Sequence, residues 1–184
     1  MDLYNESTLL HEALKEQHKE AGDYKKLIPS LINQSNVYRN QGQLSDALND
    51  LLHAERLAKQ YNDKENLAIA IGNQADIKIR QGKLDDALHM IFKSAELAKS
   101  LNNNILNQAN RAREGAIYHA KGNKELANRL FDEAETICRD NELDEHLASL
   151  YIDKAAIVKE SADFHKASGL YEKAINVYEN LGDR

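Results

Sequence analysis

The stretch RQGKLDDAL at residues 80–88 matches the stretch NQGQLSDAL at residues 40–48 in six of nine positions. The two stretches lie forty residues apart, and the same spacing recurs further along the chain. The residues at the glycine position are Gly42, Gly82, Gly122 and Ala162. Five residues after each of them stands an alanine, at Ala47, Ala87, Ala127 and Ala167. A fixed period of this length indicates a repeat protein, in which each unit buries its apolar face against its neighbours.

The residue pattern of each repeated unit predicts two helices, A and B, that are joined by a tight turn at the glycine. Apolar residues after Gly42 follow the 3.6-residue spacing of a buried helix face, as Leu48, Leu51 and Leu52 show. One proline and eight glycines in 184 residues are too few for the turns of a strand-rich domain. Polar segments at 61–63, 101–103, 141–145 and 181–183 predict the loops between units. The sequence therefore predicts an all-α fold of about nine helices.

The repeat divides the chain into an N-terminal capping helix and four helix pairs, which we expect to form one continuous domain. The predicted boundaries are 1–23 for the capping helix, then 24–63, 64–103, 104–143 and 144–184 for repeats 1 to 4. Pro29 lacks an amide proton, so we expect it to delay or kink the start of the first complete helix A.

The last helix carries apolar residues on more than one face, and Leu170, Tyr171, Ile175 and Tyr178 are among them. Repeat 4 thus lacks the polar outer face of a capping helix, which a repeat array normally has at its end. We expect either that the chain is a fragment of a longer repeat protein or that this apolar end serves self-association or partner docking.

The residues that follow each glycine resemble the tetratricopeptide repeat (TPR). An apolar residue comes two positions later, as Leu44 and Leu84, and is followed by the alanine, a large apolar residue and a small one. Tyr38 and Tyr118 match the aromatic position of helix A in that family. The resemblance covers about residues 28–181. The usual period of about 34 residues and the usual proline after helix B are absent, so the chain is similar to the forty-residue variety of the family.

The resemblance implies a right-handed superhelical solenoid of antiparallel helix pairs, with the A helices lining a concave groove. It also implies that certain A-helix positions face this groove. The residues expected to bind a peptide or partner there are Asn33, Asn36, Asn40, Asn73, Asp76, Arg80, Arg113 and His119. Asparagine amides suit a peptide backbone, and the forked arginine donor suits a carboxylate.

Two other interpretations of the groove positions compete with peptide binding. Asn33 and Asn73 are typical of the family and would also serve to satisfy local polar groups. Asn36, Asn73 and Arg113 coincide with part of the carboxylate clamp of chaperone-binding TPR domains. Ile32 and Ala109 replace the two clamp lysines, however, so we do not expect a clamp for chaperone tails.

Composition and charge argue against several functional classes. The net charge of −6, without any long basic run, disfavours binding to nucleic acid or to an anionic membrane. The single cysteine, Cys138, cannot form an internal disulfide, and the N-terminus does not resemble a signal peptide. The longest apolar run, at 67–71, is far too short to span a membrane. We therefore expect a cytoplasmic protein.

The sequence contains no recognisable catalytic or metal-binding motif. The stretch HEALK at 11–15 has a lysine where a zinc protease motif needs its second histidine. The acidic stretch at 140–145 lacks the glycine of a calcium-binding loop. No phosphate-binding loop, dinucleotide fingerprint or nucleophile elbow occurs. We expect no enzyme activity, no cofactor and no metal.

Two functions remain open from the sequence. The first is a non-catalytic scaffold that binds a peptide or helical segment of a partner protein in the groove. The second is a sensory or regulatory TPR domain that controls an attached or associated effector, as the resemblance to bacterial signal-responsive regulators implies.

Overall fold

The computed structural model describes residues 2–160 and 162–182, without the side chains of residues 2–8, 10, 11 and 160. This part of the chain contains nine α-helices and no strand, which confirms the predicted all-α class. The helices are α1 (Asp2–Glu20), α2 (Tyr24–Asn40), α3 (Leu44–Gln60), α4 (Lys64–Arg80), α5 (Leu84–Ser100), α6 (Asn104–Ala120), α7 (Lys124–Asp140), α8 (Asp144–Glu160) and α9 (Phe164–Gly182). None of the described helices is long and apolar enough to cross a membrane.

The turns between helices repeat every twenty residues. One residue in each turn has a positive φ, and these residues are Gly22, Gly42, Asn62, Gly82, Asn102, Gly122, Glu142 and Ala162. At the turn in RQGKLDDAL, the amide of Gly82 donates to the carbonyl of Ile79 at 2.9 Å, and that of Lys83 donates to Lys78 at 2.9 Å. This pair of bonds is a Schellman motif, which ends a helix by turning one residue into the left-handed region. The repeated glycine therefore marks the end of helix A.

The next helix begins directly after each Schellman turn, so three residues suffice to reverse the chain. The Asp63 carboxylate accepts a hydrogen bond from the backbone N–H of Asn66, and the Asn123 amide oxygen accepts one from Leu126. Such N-caps satisfy amide donors that the helix itself leaves unpaired. Asp23 caps α2 in the same way, and α2 starts at Tyr24. Pro29 thus lies inside the helix, and the expectation that it delays the helix start was wrong.

The described chain separates into two compact units, Met1–Leu101 and Asn102–Arg184. The core of the first unit is formed mainly by Leu27, Ile28, Leu31, Leu51 and Ile77. Alanines at its helix contacts, such as Ala47 and Ala54, are fully buried and let the helices approach closely. Each predicted repeat contains two of the observed helices; that all repeats form one continuous domain remains a prediction.

The second unit has cores around Tyr151 and around Phe131. Gly115 of α6 lies against the Phe131 ring of α7, where a Cβ atom on residue 115 would come within 3.2 Å of two ring carbons. In the forty-residue register, the equivalent pairs in the first unit are Ser35 with Leu51 and Ala75 with Ile91. The larger ring in the third repeat is thus matched by the smallest residue on the facing helix.

Candidate functional site

Polar side chains connect the neighbouring A helices α2 and α4. The Asn73 amide donates to the Asn36 side-chain oxygen at 3.4 Å, and Arg39 Nη1 donates to Asp76 Oδ2 at 2.8 Å. Both pairs join residues 37 positions apart, which is three fewer than the repeat period. Since three residues are nearly one helical turn, α4 is displaced by about one turn relative to α2. This offset determines which predicted side chains meet.

The predicted groove residues of the first unit differ in exposure. Asn33, Asn40 and Arg80 are exposed, whereas Asn36 and Asp76 are partly buried. Asn73 is only 6% exposed. The exposed amides and the guanidinium are therefore available to a ligand. The partly buried and buried residues hold their positions through contacts between α2 and α4.

Arg39 was missed by the sequence reasoning, although its bond to Asp76 is shorter than the bond between Asn73 and Asn36. Its side chain and that of Asp76 are 23% and 21% exposed, so the ion pair is shielded from much of the solvent. Charge-assisted bonds of this geometry are stronger than neutral ones. A search for opposite charges 37 residues apart would have found the pair, but that offset follows from the helix packing and not from the sequence period.

The second unit contains the other two predicted residues. Arg113 is partly buried on α6. His119, near the end of the same helix, lines a cavity of about 220 Å³. The relation of Arg113 to Asn73, which the register predicts to be neighbours along one surface, remains a prediction because the two residues belong to different units.

The cavity beside His119 combines basic and apolar side chains. Lys124 at the start of α7, Lys154 on α8 and Lys166 on α9 supply positive charge. The apolar wall is formed by Phe131, Ile157 and Val158. The lining also includes Asn128 and Asp163. None of the three lysines is among the groove residues that the family resemblance implies.

Lys154 is held in place by two contacts. Its ammonium lies 3.2 Å from Asp132 Oδ1 and 5.7 Å from the centre of the Phe131 ring. A cation over an aromatic face is attracted by the electrons of the ring. The Lys154 side chain is only 13% exposed, whereas that of Asp132 is 70% exposed. The charge of Lys154 is therefore fixed at the apolar wall of the cavity.

The described residues contain no cluster suited to a metal ion, and their one cysteine has a raised pKa. No group of three or more histidine, cysteine, aspartate or glutamate side chains among them could hold a metal ion. The Cys138 side chain is buried, and burial raises the pKa of its thiol to about 11. A thiol with that pKa stays protonated at neutral pH and is a poor nucleophile.

Comparison with known proteins places the chain among TPR-like structures. No protein-family model matches it, and no curated protein does either. RapI superimposes with a TM-score of 0.86 at 14% identity, over 98% of this chain and 64% of RapI. Aspartyl phosphate phosphatase F from Bacillus subtilis gives 0.77 at 19% identity, over 96% of this chain and 45% of the phosphatase.

A kinesin light chain protein from Podosopora anserina, with nearly identical TPR-like repeats, gives a TM-score of 0.61 at 13% identity. The match covers 98% of this chain and 89% of that protein. These identities establish a shared fold only. The fold is that of TPR-like helical repeats, as the family resemblance implied.

Proposed function

We propose that this protein is a non-catalytic protein-binding module that holds a peptide or helical segment of a partner on its A helices. The observation that carries the proposal is the polar face of α2 and α4. Asn33, Asn40 and Arg80 are exposed there, while the Arg39–Asp76 ion pair joins the two helices. Because this ion pair holds the two helices together, peptide binding need not pay the entropy of bringing them into place.

The exposed residues suit the backbone and charges of a peptide. An asparagine amide can donate to a peptide carbonyl and accept from a peptide N–H at the same time. Arg80 adds a donor that pairs well with a carboxylate. Asn36, Asn73 and Asp76 would support this surface, and Arg113 and His119 would be binding residues of the second unit. TPR-like repeats commonly mediate protein–protein interactions, which agrees with the proposal. A reducing cytoplasm suits a chain with a single buried thiol.

Affinity capture with matched variants tests the proposal. The triple variant Asn33→Ala/Asn40→Ala/Arg80→Ala removes the exposed groups of α2 and α4. The control Asn49→Ala/Arg56→Ala removes an exposed asparagine and an exposed arginine from the B helix α3. Tagged proteins are incubated with extract of the source cells, and bound proteins are quantified by mass spectrometry. We expect a group of partners that the triple variant loses and the control keeps. Equal recovery with both variants would refute the assignment.

We also propose that α9 associates with a second copy of the chain. Ala167, Leu170 and Ala174 bury one side of α9 against the core, but Phe164 and Ile175 on other sides are 65% and 54% exposed. Apolar side chains exposed in this number commonly mark an interaction surface. Sedimentation velocity at increasing concentration should show a dimer, and Ile175→Lys/Tyr178→Lys should abolish it. A wild-type protein that sediments as a monomer at all concentrations would contradict this second proposal.

A further inference from the structure

The cavity beside His119 occurs where the third repeat departs from the first two. Two positions after the glycine, repeats 1 and 2 have Leu44 and Leu84, whereas repeat 3 has Lys124. Six positions after the glycine, the first two repeats again have leucine and the third has Asn128. The leucines are partly buried, and Leu44 packs against the core of the first unit. Lys124 and Asn128 are exposed instead.

The loss of two leucines explains both the space and the polarity of the cavity. A leucine at positions 124 and 128 would fill the space beside the turn with apolar side chains, as in repeats 1 and 2. Lysine and asparagine can extend towards solvent and leave Ile157 and Val158 partly uncovered. The replacements therefore convert a packed contact into a cavity with an apolar wall and a polar opening.

The lysines of this cavity are incompletely paired. Lys154 pairs with Asp132, but neither Lys124 nor Lys166 has an ion pair with any residue that the structure describes. The one carboxylate of the described lining, Asp163, accepts a hydrogen bond from the backbone N–H of Lys166 and so caps α9. The three lysines outnumber the carboxylates of Asp163 and Asp132 by one, so the cavity keeps a surplus of positive charge that the carboxylate of a ligand would offset.

We propose that this cavity binds an acidic side chain of a partner peptide, with a neighbouring apolar side chain against Ile157 and Val158. Lys124 and Lys166 would supply charge-assisted hydrogen bonds to the carboxylate, and the fixed charge of Lys154 would add to the attraction. A cavity of about 220 Å³ holds a group of the size of one side chain. The inference deepens the proposed function and rests on it for the nature of the partner, but its residues are separate from the face of α2 and α4.

Titration with a defined blocked peptide tests this proposal directly. The probe is acetyl-Leu-Glu-Leu-amide, and the comparison peptide is acetyl-Leu-Gln-Leu-amide, which has the same shape without the charge. A third peptide, acetyl-Leu-Leu-Leu with a free carboxyl terminus, distinguishes a terminal carboxylate from a side-chain carboxylate. Binding is followed by the ¹H–¹⁵N amide signals of the isotope-labelled full chain. We expect the glutamate peptide to shift the signals of Lys124, Asn128 and Val158, and to bind about tenfold more tightly than the glutamine peptide.

A variant that refills the cavity provides the decisive control. Lys124→Leu/Asn128→Leu restores the residues of repeats 1 and 2, so it should keep or raise the melting temperature while reducing peptide affinity at least about tenfold. Lys99→Leu removes one charge from the first unit and should leave affinity unchanged. Equal affinity for the glutamate and glutamine peptides, tighter binding of the free-terminus peptide, or unchanged binding by the double variant would each overturn the proposal. If it fails while the triple variant on α2 and α4 still loses partners, the proposed function stands without it.

Discussion

Arg39 on α2 and Asp76 on α4 form an ion pair, with Nη1 and Oδ2 2.8 Å apart, that links two successive A helices. Asn36 and Asn73 make the same connection nearly one turn earlier. These pairs fix the register of the surface that carries the proposed partner-binding residues. Their contribution to the fold and to binding can be measured separately.

The Arg39–Asp76 pair should show a favourable coupling energy. We expect a double-mutant cycle of Arg39→Met and Asp76→Asn to give a coupling of about 1 kcal/mol in the free energy of unfolding, since both side chains are largely but not fully shielded. Urea denaturation of the four proteins measures it. The cycle Lys19→Met with Glu16→Gln, on an exposed pair of α1, serves as control and should give less. A coupling no larger than in this control would show that the pair does not stabilise the helix register.

Gly115→Ala should destabilise the second unit because the new methyl group meets the Phe131 ring and the Ala127 carbonyl at 3.2 Å. Crowding of a packed core costs about 1–3 kcal/mol, whereas alanine gains about 1 kcal/mol over glycine from helix propensity. Gly169→Ala on α9 is the matched control, because no atom lies within 4 Å of its added Cβ. We expect the control to stabilise and Gly115→Ala to fall about 2 kcal/mol below it by urea denaturation. Equal effects of the two substitutions on the free energy of unfolding would mean that α6 and α7 make room for the new methyl group at no energetic cost.

The turn residues with positive φ should respond to substitution in opposite directions. Gly82 has a φ of 72° with open space around it, so Gly82→Ala should cost about 1 kcal/mol through backbone strain alone. Ala162 has a φ of 61°, and Ala162→Gly should stabilise by a similar amount because it removes such strain. Thermal unfolding of both variants checks the pair. A destabilised Ala162→Gly variant would contradict the interpretation.

Glu135 should make the stability depend on pH in the acid range. Burial alone would raise its pKa, but hydrogen bonds from Tyr151 and Arg139 outweigh burial and lower the pKa below its ordinary value of 4.5. A carboxyl group whose pKa is lower in the folded state stabilises the fold above its unfolded pKa and loses this contribution as the pH falls through the folded pKa. The stability advantage of the wild type over Glu135→Gln should therefore be full at pH 7 and shrink below pH 4.5.

Urea denaturation at several pH values between 3 and 7 measures this advantage. Glu179→Gln, on an exposed position of α9, is the control and should show a much smaller change across the same range. An advantage over Glu135→Gln that stays constant with pH would show that Glu135 does not carry the expected contribution.

The fold was predictable because Gly42, Gly82 and Gly122 end their helices in the same Schellman turn, and this turn needs a residue that accepts positive φ. The contacts between A helices were not predictable from the forty-residue period alone. They join residues 37 apart, an offset that side-chain packing between helices determines. Asn73, which the family pattern assigns to the groove, is buried and donates to Asn36 across this offset.

The basic cavity was missed for a different reason. Its signal was present in the repeat alignment, where Lys124 and Asn128 replace two leucines. The residues that the repeats share determine the register, whereas a binding feature of one repeat lies where its residues differ from those of the others. Whether the differing residues enclose a cavity depends on the positions of Phe131, Ile157 and Val158, which only the structure provides.

Site-specific photocrosslinking tests the central claim most directly. A photoreactive amino acid is placed at Asn40, on the proposed binding face of α2, or at Asn49, an exposed asparagine on the B helix α3. Both proteins are irradiated in the source cells, and crosslinked partners are identified by mass spectrometry. The proposed function predicts a specific protein crosslink from position 40 that position 49 does not give. Crosslinks from position 49 alone would contradict partner binding on the A helices.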